Sequence, residues 1–259
     1  MTTAHAAAAA ADDARIAAAS AGVTIDLIET PAEIGVLRAT MESVWGPEVV
    51  PPANVLRGMA LGGACLLIAR RNDEPIGFAL GWVGWHDGLH LHSHQVGVRS
   101  DGRSSGIGMA LKLAQRAQCL QHGITEMRWT FDPLIATNAT FNLVHLGARV
   151  VDFLPACYGV RRDAFNTGDV TDRVEVSWRL DAPVGGFWVE PDDRTVISVP
   201  PAYHQLRVDD VGAADRYRRD VGSALTEATT TGARVVGLCR LDSGVGYVVD
   251  RGAGTGAER

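Results

Sequence analysis

Apolar positions recur along the chain at two spacings, three to four residues and two residues, and glycine and proline separate them. Thr30-Pro31-Ala32-Glu33 reads as a helix start: a capping residue, proline at the first helical position and Glu three residues after the cap. It predicts a helix to about Trp45, a break over 46–52 and a short second helix over 53–61. Residues 64–70 and 76–85 read as two strands around the turn 72–75, an antiparallel hairpin. Gly77, Gly81 and Gly84 in the second strand predict a bulge or a close backbone approach. A third strand is predicted over 91–98, then a polar turn over 99–105. From Ile107 the apolar residues Ile107, Ala110, Leu111, Ala114, Ala117 and Leu120 keep helical spacing, with Gly123 where a helix C′ residue belongs. Residues 126–131 predict a strand ended by Asp132-Pro133, then a helix over 139–146 capped by Asn138 and stopped by Gly147, then a strand over 150–160 carrying Tyr158. Further on, 173–180 and 195–199 read as strands. Residues 209–231 read as a helix with Val211, Ala214, Tyr217, Val221, Leu225 and Ala228 on one stripe. Residues 234–241 and 245–251 flank the hairpin signal Asp242-Ser243-Gly244.

The stretch from His92 to Gly108 is a strand, a glycine-bearing loop and a helix start. That order aims several main-chain N–H groups and the positive end of a helix dipole at one spot, which suits a pyrophosphate. No Gly-Lys-Ser/Thr follows the turn, so a P-loop is excluded, and the dinucleotide pattern of three glycines is absent too. What stands here is Arg103-x-x-Gly106-x-Gly108 after a strand ending Val96-Gly97-Val98. This resembles motif A of the GNAT superfamily of N-acetyltransferases. The resemblance runs from about Val23 to Val160. It implies an α/β (α+β) fold with a mixed, mostly antiparallel central sheet flanked by helices, and acetyl-coenzyme A as the cofactor. Main-chain amides of Arg103, Ser104, Ser105, Gly106, Ile107 and Gly108 would hold the pyrophosphate, and Val96, Gly97 and Val98 the pantetheine amides. Asn138 and the Leu146-Gly147-Ala148 end of its helix resemble motif B, which gives Asn138 a second role at the cofactor besides the cap. The family often carries a tyrosine four residues before that glycine as a proton donor; Leu143 stands there instead.

The resemblance also sets the expected organisation: a frayed or disordered leader over 1–22, an acetyltransferase domain over 23–162, a small α/β extension over 163–252 packed on it, and a disordered tail over 253–259. Composition narrows the partners. The chain has 259 residues, 46% of them hydrophobic, ordinary for a soluble globular protein. No apolar run approaches the roughly 20 residues that span a bilayer. The alanine-rich start lacks a basic region and is interrupted by Asp12 and Asp13, unlike a signal peptide. A formal net charge of −6 and the absence of a basic stripe argue against nucleic acid. Cys65, Cys119, Cys157 and Cys239 are scattered, which fits reduced core thiols in a cytoplasmic protein better than disulfides or zinc. Nothing in the pattern fixes the oligomeric state, and a homodimer stays open.

Acyl transfer from a thioester to an amine needs a proton acceptor, an oxyanion donor and a proton for the thiolate. His90, His92 and His94 alternate along the strand and so should share one face, with Val96 and Val98 on it. A histidine can take a proton near neutrality. His92-x-His94 is similar to the paired histidines of serotonin N-acetyltransferases, which implies His94 and His92 as the base. A metal site on three strand histidines is the weaker reading, since a flat row is a poor tetrahedral cage, so no metal is expected; buried structural histidines are the other alternative. Oxyanion stabilisation would come from a main-chain N–H near 96–98. Tyr158 is the candidate acid, set against a core tyrosine with a satisfied hydroxyl. Trp45 and Met59 are candidates for an acceptor wall or for plain core. The expected function is acetyl-coenzyme A-dependent transfer to a small-molecule amine. A non-catalytic acyl-coenzyme A sensor or scaffold is the alternative, and a protein N-terminus or lysine as acceptor a third reading.

Overall fold

The computed structural model describes residues 3–103, 105–162 and 167–251. They cluster in two compact units: one of Met1–Arg128, Arg162–Gly168 and Arg179–Ala182, the other of Trp129–Arg161, Asp169–Trp178 and Pro183–Arg259.

The first unit begins with α1 (Thr3–Ser20) and β1 (Thr24–Leu27). The alanine-rich start, expected to fray, is an ordered helix packed against α4 (Ile107–Gln121). Ala6 and Ala10 are buried, and Asp13 is bonded to Arg116 of α4 at 2.9 Å. An all-alanine surface has no apolar period to read, yet its small side chains let two helices approach closely. Next come α2 (Pro31–Trp45) and α3 (Ala53–Leu61). The capping box of α2 forms as expected: the Glu33 N–H donates to Thr30 Oγ1 and the Thr30 N–H to the Glu33 carboxylate.

The strands β2 (Cys65–Arg71), β3 (Glu74–Gly84) and β4 (His90–Val98) form an antiparallel run with β1 on its edge, in the order β1-β2-β3-β4. Asn72 and Asp73 both take positive φ in the two-residue β2–β3 turn, the backbone that matches strand twist. β5 (Glu126–Phe131) joins β4 in parallel. Leu66, Leu67, Ile68 and Ala69 are all buried, as in a sheet covered on both faces. Phe78 and Leu80 pack with Ile34, Leu37 and Met41 of α2, and Trp45, Met59 and Trp82 lie against that cluster. The opposite face is covered by α4, whose Ile107 and Leu111 approach Gly77. At the end of α4 the Gly123 and Ile124 N–H groups return to Leu120 and Cys119, a Schellman stop with Gly123 at φ +74.

The second unit opens with the short helix α5 (Ala136–Ala139), which widens into a π-helical turn over Thr140–His145. Its cap position is Ile135, so Asn138 lies inside the helix and is not its cap. β6 (Arg149–Leu154) ends earlier than expected, because Pro155 has no N–H for a ladder and Ala156 turns the chain at φ +51. Two short strands, β7 (Val160–Arg162) and β8 (Thr167–Val170), precede β9 (Arg173–Arg179), which pairs antiparallel with β6. The rest is β10 (Thr195–Val199), α6 (Tyr203–Asp209), α7 (Val211–Thr230), β11 (Arg234–Leu241) and β12 (Gly244–Asp250), with strand order β10-β12-β11. The helix expected over 209–231 is α7, whose start is capped by the Asp210 carboxylate accepting from the Ala213 N–H at 2.8 Å; α6 before it is a helix the pattern does not predict. Ala214, Val221, Leu225 and Ala228 of the expected stripe are buried, while Val211 and Tyr217 are exposed. The tail over 253–259 lies outside the described residues.

Candidate active site

β3 and β4 pair regularly from Gly84↔His90 through Trp82↔His92 to Gly81↔Ser93. The next pair is Leu80↔Gln95, which leaves His94 as an extra residue on β4, a β-bulge. Residues paired across strands share a face. Through Trp82, His92 therefore lies on the face of Phe78 and Leu80, toward α2. Past the bulge the alternation is reversed. Gly97 pairs with Phe78 on the α2 face, whereas Val96 and Val98 pair with Ala79 and Gly77 on the α4 face. The expectation that Val96 and Val98 share the histidines' face is corrected by that one inserted residue.

The bulge keeps His94 with His92. Their ring centroids are 5.8 Å apart, and the Trp82 indole lies 5.1 Å from His92 and 4.8 Å from His94. Trp45 completes this face: a Cβ on Gly97 would come within 3.0 Å of its indole nitrogen. His90 is set apart. It is buried, its Nδ1–H donates to the Gly88 carbonyl at 2.8 Å, and its ring fills the space above Gly84. Burial pushes the His92 pKa down to about 4, and the neighbouring His94, His90 and Lys112 push the same way. His92 is thus a neutral imidazole at pH 7. Gln95, one position past the bulge, holds a buried side-chain oxygen with no hydrogen-bond partner among the described residues. Among those residues no group of His, Cys, Asp or Glu is arranged to hold a metal ion.

β4 and β5 stay together for only two pairs, Leu91↔Met127 and His92↔Arg128. Among the described residues that ladder does not continue from Ser93 to Val98. The strand leads into a 3₁₀ turn over Ser100–Gly102 and then to Gly106, the N-cap of α4, at φ +83. Gly106 offers no side chain and α4 has no acidic residue in its first turn, so the first amides of the helix are uncapped from within. A Cβ on Gly108 would meet nothing within 4 Å. Ser105 serves the loop itself: its hydroxyl donates to the Gly102 carbonyl at 2.6 Å and accepts from Arg71 at 3.3 Å. Arg103 is exposed beside this cradle. Ser104 lies outside the described residues.

The sequence-predicted residues His92, His94, Val96, Gly97, Val98, Arg103, Ser105, Gly106, Ile107 and Gly108 thus all belong to one strand–loop–helix segment of the first unit. Residues 37–141 match the model of the acetyltransferase (GNAT) family. That segment of the chain is similar to the GNAT acetyltransferases. Among solved structures, Arabidopsis thaliana Naa50 in complex with the bisubstrate analogue CoA-Ac-MVNAL is 16% identical at a TM-score of 0.50, covering 60% of this chain and 97% of that one. A GNAT family acetyltransferase from Elizabethkingia anophelis with acetyl-CoA bound is 14% identical at a TM-score of 0.44, covering 61% and 98%. No curated protein matches the chain. The GNAT fold brings the expected mostly antiparallel sheet and flanking helices. No helix among the described residues is long and apolar enough to cross a membrane.

Two candidates belong to the second unit. Tyr158 is not on a strand but on the turn after β6, 39% exposed, with its hydroxyl 3.2 Å from Thr130 Oγ1 and the Arg173 guanidinium over its ring. Asn138 is exposed on α5. Leu143, at the motif-B position, is buried in the π-helical turn, and Asn142 beside it accepts from the Trp129 indole at 3.1 Å. Trp82 and Gln95 escaped the sequence reading. Only the register of β3 against β4 reveals them, and no local pattern encodes it.

Proposed function

We propose that the protein is an acetyl-coenzyme A-dependent N-acetyltransferase that passes the acetyl group directly to the amine of a small-molecule acceptor. The observation that carries this reading is the continuity of one segment. A strand that parts from its neighbour after His92, bulges at His94 and ends in an uncapped helix joins a base to an anion cradle. The residues fit coenzyme A. The edge of β4 from Val96 to Val98 offers main-chain donors and acceptors to pantetheine amides, and the first-turn amides of α4 offer donors to a pyrophosphate. When bound, acetyl-coenzyme A supplies the activated acyl thioester.

The chain's own residues then do three things. Neutral His92, or His94 beside it, accepts the proton that the attacking amine must lose. The main-chain N–H groups at 96–98 face the growing negative charge on oxygen. The Gln95 side-chain oxygen, buried without a donor at a cost of about 1–3 kcal/mol, is an acceptor that an amine N–H can satisfy. Tyr158 is the proposed acid, with Leu143 unable to give a proton from the usual motif-B place.

The test is thiol release from acetyl-coenzyme A with a panel of small amines and, alongside, a short peptide with a free N-terminus, chosen because the bisubstrate analogue of the Naa50 complex is CoA-Ac-MVNAL. Release with a small amine, lowered more than tenfold in His94→Ala at unchanged acetyl-coenzyme A affinity, is the expected result. Release with the peptide alone overturns the small-molecule acceptor. Binding without release across the panel points to an acyl-coenzyme A sensor, a reading favoured by Leu143.

A further inference from the structure

Between the two histidines, Ser93 points to the other side of the sheet and meets a polar cluster under α4. Lys112 Nζ donates to Ser93 Oγ at 2.9 Å, and Ser93 Oγ donates to Gln115 Oε1 at 2.8 Å. Burial pulls the Lys112 pKa down to about 7; in its protonated form the group can only donate, which sets the direction of the relay. The sulfur of Met127 lies 3.9 Å from Nζ. Ser93, Lys112 and Gln115 are all buried. The Gln115 amide nitrogen sits where Gly81 has no side chain, 3.2 Å from the place of a Cβ. Gly81 is the β3 partner of Ser93, at the register shift. The cluster is therefore bonded to β4 through Ser93 and lies against β3 at Gly81, where β4 has just left β5 and where it bulges.

A buried ammonium is costly. Leu111 and Leu113, about 100° to either side of Lys112 around the helix, are both buried, so Lys112 projects inward between apolar side chains.

We infer that Lys112 is a positioning residue: with Ser93 and Gln115 it pins β4 at the bulge and so holds His92 and His94 in place on the far face of the strand. The inference rests on the reading of that face as the reaction site. The titratable groups whose charge reaches His92 are His94 and His90 on its own strand and, across the sheet, Lys112 of α4. Those facing Lys112 are Cys65 of β2 and Cys119 of α4. Other charges nearby are paired: Arg116 with Asp13 of α1, Arg128 of β5 with Glu126, and Arg38 of α2 with Glu42.

The experiment compares wild type with Lys112→Met and Ser93→Ala, each checked for folding by its thermal melt. NMR titration follows the imidazole C2–H signals of His92 and His94 in the ligand-free protein. In Lys112→Met the His92 midpoint moves upward, because a nearby positive charge is gone. In both variants the His92 and His94 signals shift, kcat for acetyl transfer falls at least tenfold, and KM for acetyl-coenzyme A holds. Unchanged histidine signals and midpoint in a folded Lys112→Met protein overturn the inference. If Lys112→Met does not fold, Ser93→Ala decides by its signals. The NMR arm needs no turnover: a wild type inert toward every amine refutes the proposed reaction, while the titration still judges the pin.

Discussion

Gly108→Glu separates the phosphate cradle from an ordinary helix start, because the two predict effects of opposite sign. Gly108 is the second residue of α4, and a side chain there enters open space. Replacing glycine with a better helix former contributes about 0.5 kcal/mol. A carboxylate in the first turn of a helix adds about 0.3–1 kcal/mol through the dipole. The ligand-free variant is therefore expected to be stabilised by about 1 kcal/mol, a melt roughly 2–4 °C higher for a chain of this size. The same carboxylate placed about 5 Å from a phosphate, at an effective dielectric near 30, costs about 2 kcal/mol per unit charge. That is a loss of at least about tenfold in affinity. The assay pairs a thermal melt without ligand with calorimetric titration of coenzyme A at low and moderate salt, since the repulsion is screened by ions. A variant that binds coenzyme A as tightly as wild type would falsify the placement of the anion at this helix start. A melt that drops would mean the space above Gly108 is needed by the fold itself.

Two further outcomes follow from the same geometry. Gly97→Ala drives a methyl to within 2.6 Å of the Phe78 ring and 3.0 Å of the Trp45 indole. It should cost about 1–3 kcal/mol by overpacking; a denaturant midpoint equal to wild type argues against this close approach. His92 binds a proton more weakly folded, at about 4, than unfolded, near 6.5. The unfolded chain thus holds the extra proton between those values, and stability falls as pH drops from about 6.5 toward 4. With solvent screening of this partly exposed ring the loss should be about 1 kcal/mol. His92→Gln should flatten that part of the curve, and parallel curves in the two proteins would contradict the assigned shift.

What could be read from the sequence was local. The helix over Ala53–Leu61 and the strand over Glu126–Phe131 lie where the pattern put them, because their ends are set by adjacent glycine, proline and polar residues. The capping box at Thr30 and Glu33 is likewise a three-residue matter. What could not be read depends on a partner far along the chain. The bulge at His94 exists only in the register with β3, so alternation alone put Val96 and Val98 on the wrong face. Asn138 looked like a cap because asparagine caps helices, but the chain turns three residues earlier. Lys112 stands beside the apolar stripe of α4, where a solvated lysine is the ordinary expectation; its burial depends on Ser93 and Met127, which the fold brings beneath it.

The helix α1 has a practical consequence. Arg116 donates to the Leu180 carbonyl at 2.8 Å and to the Ala182 carbonyl at 3.4 Å while bonded to Asp13, so a single guanidinium clasps three stretches distant in sequence. An expression clone trimmed to the family match at 37–141 would remove two of those stretches and leave this arginine without them. It would also uncover the face of α4 that α1 packs against. Such a fragment is expected to precipitate rather than report on coenzyme A, and a tag is better placed at the carboxyl end.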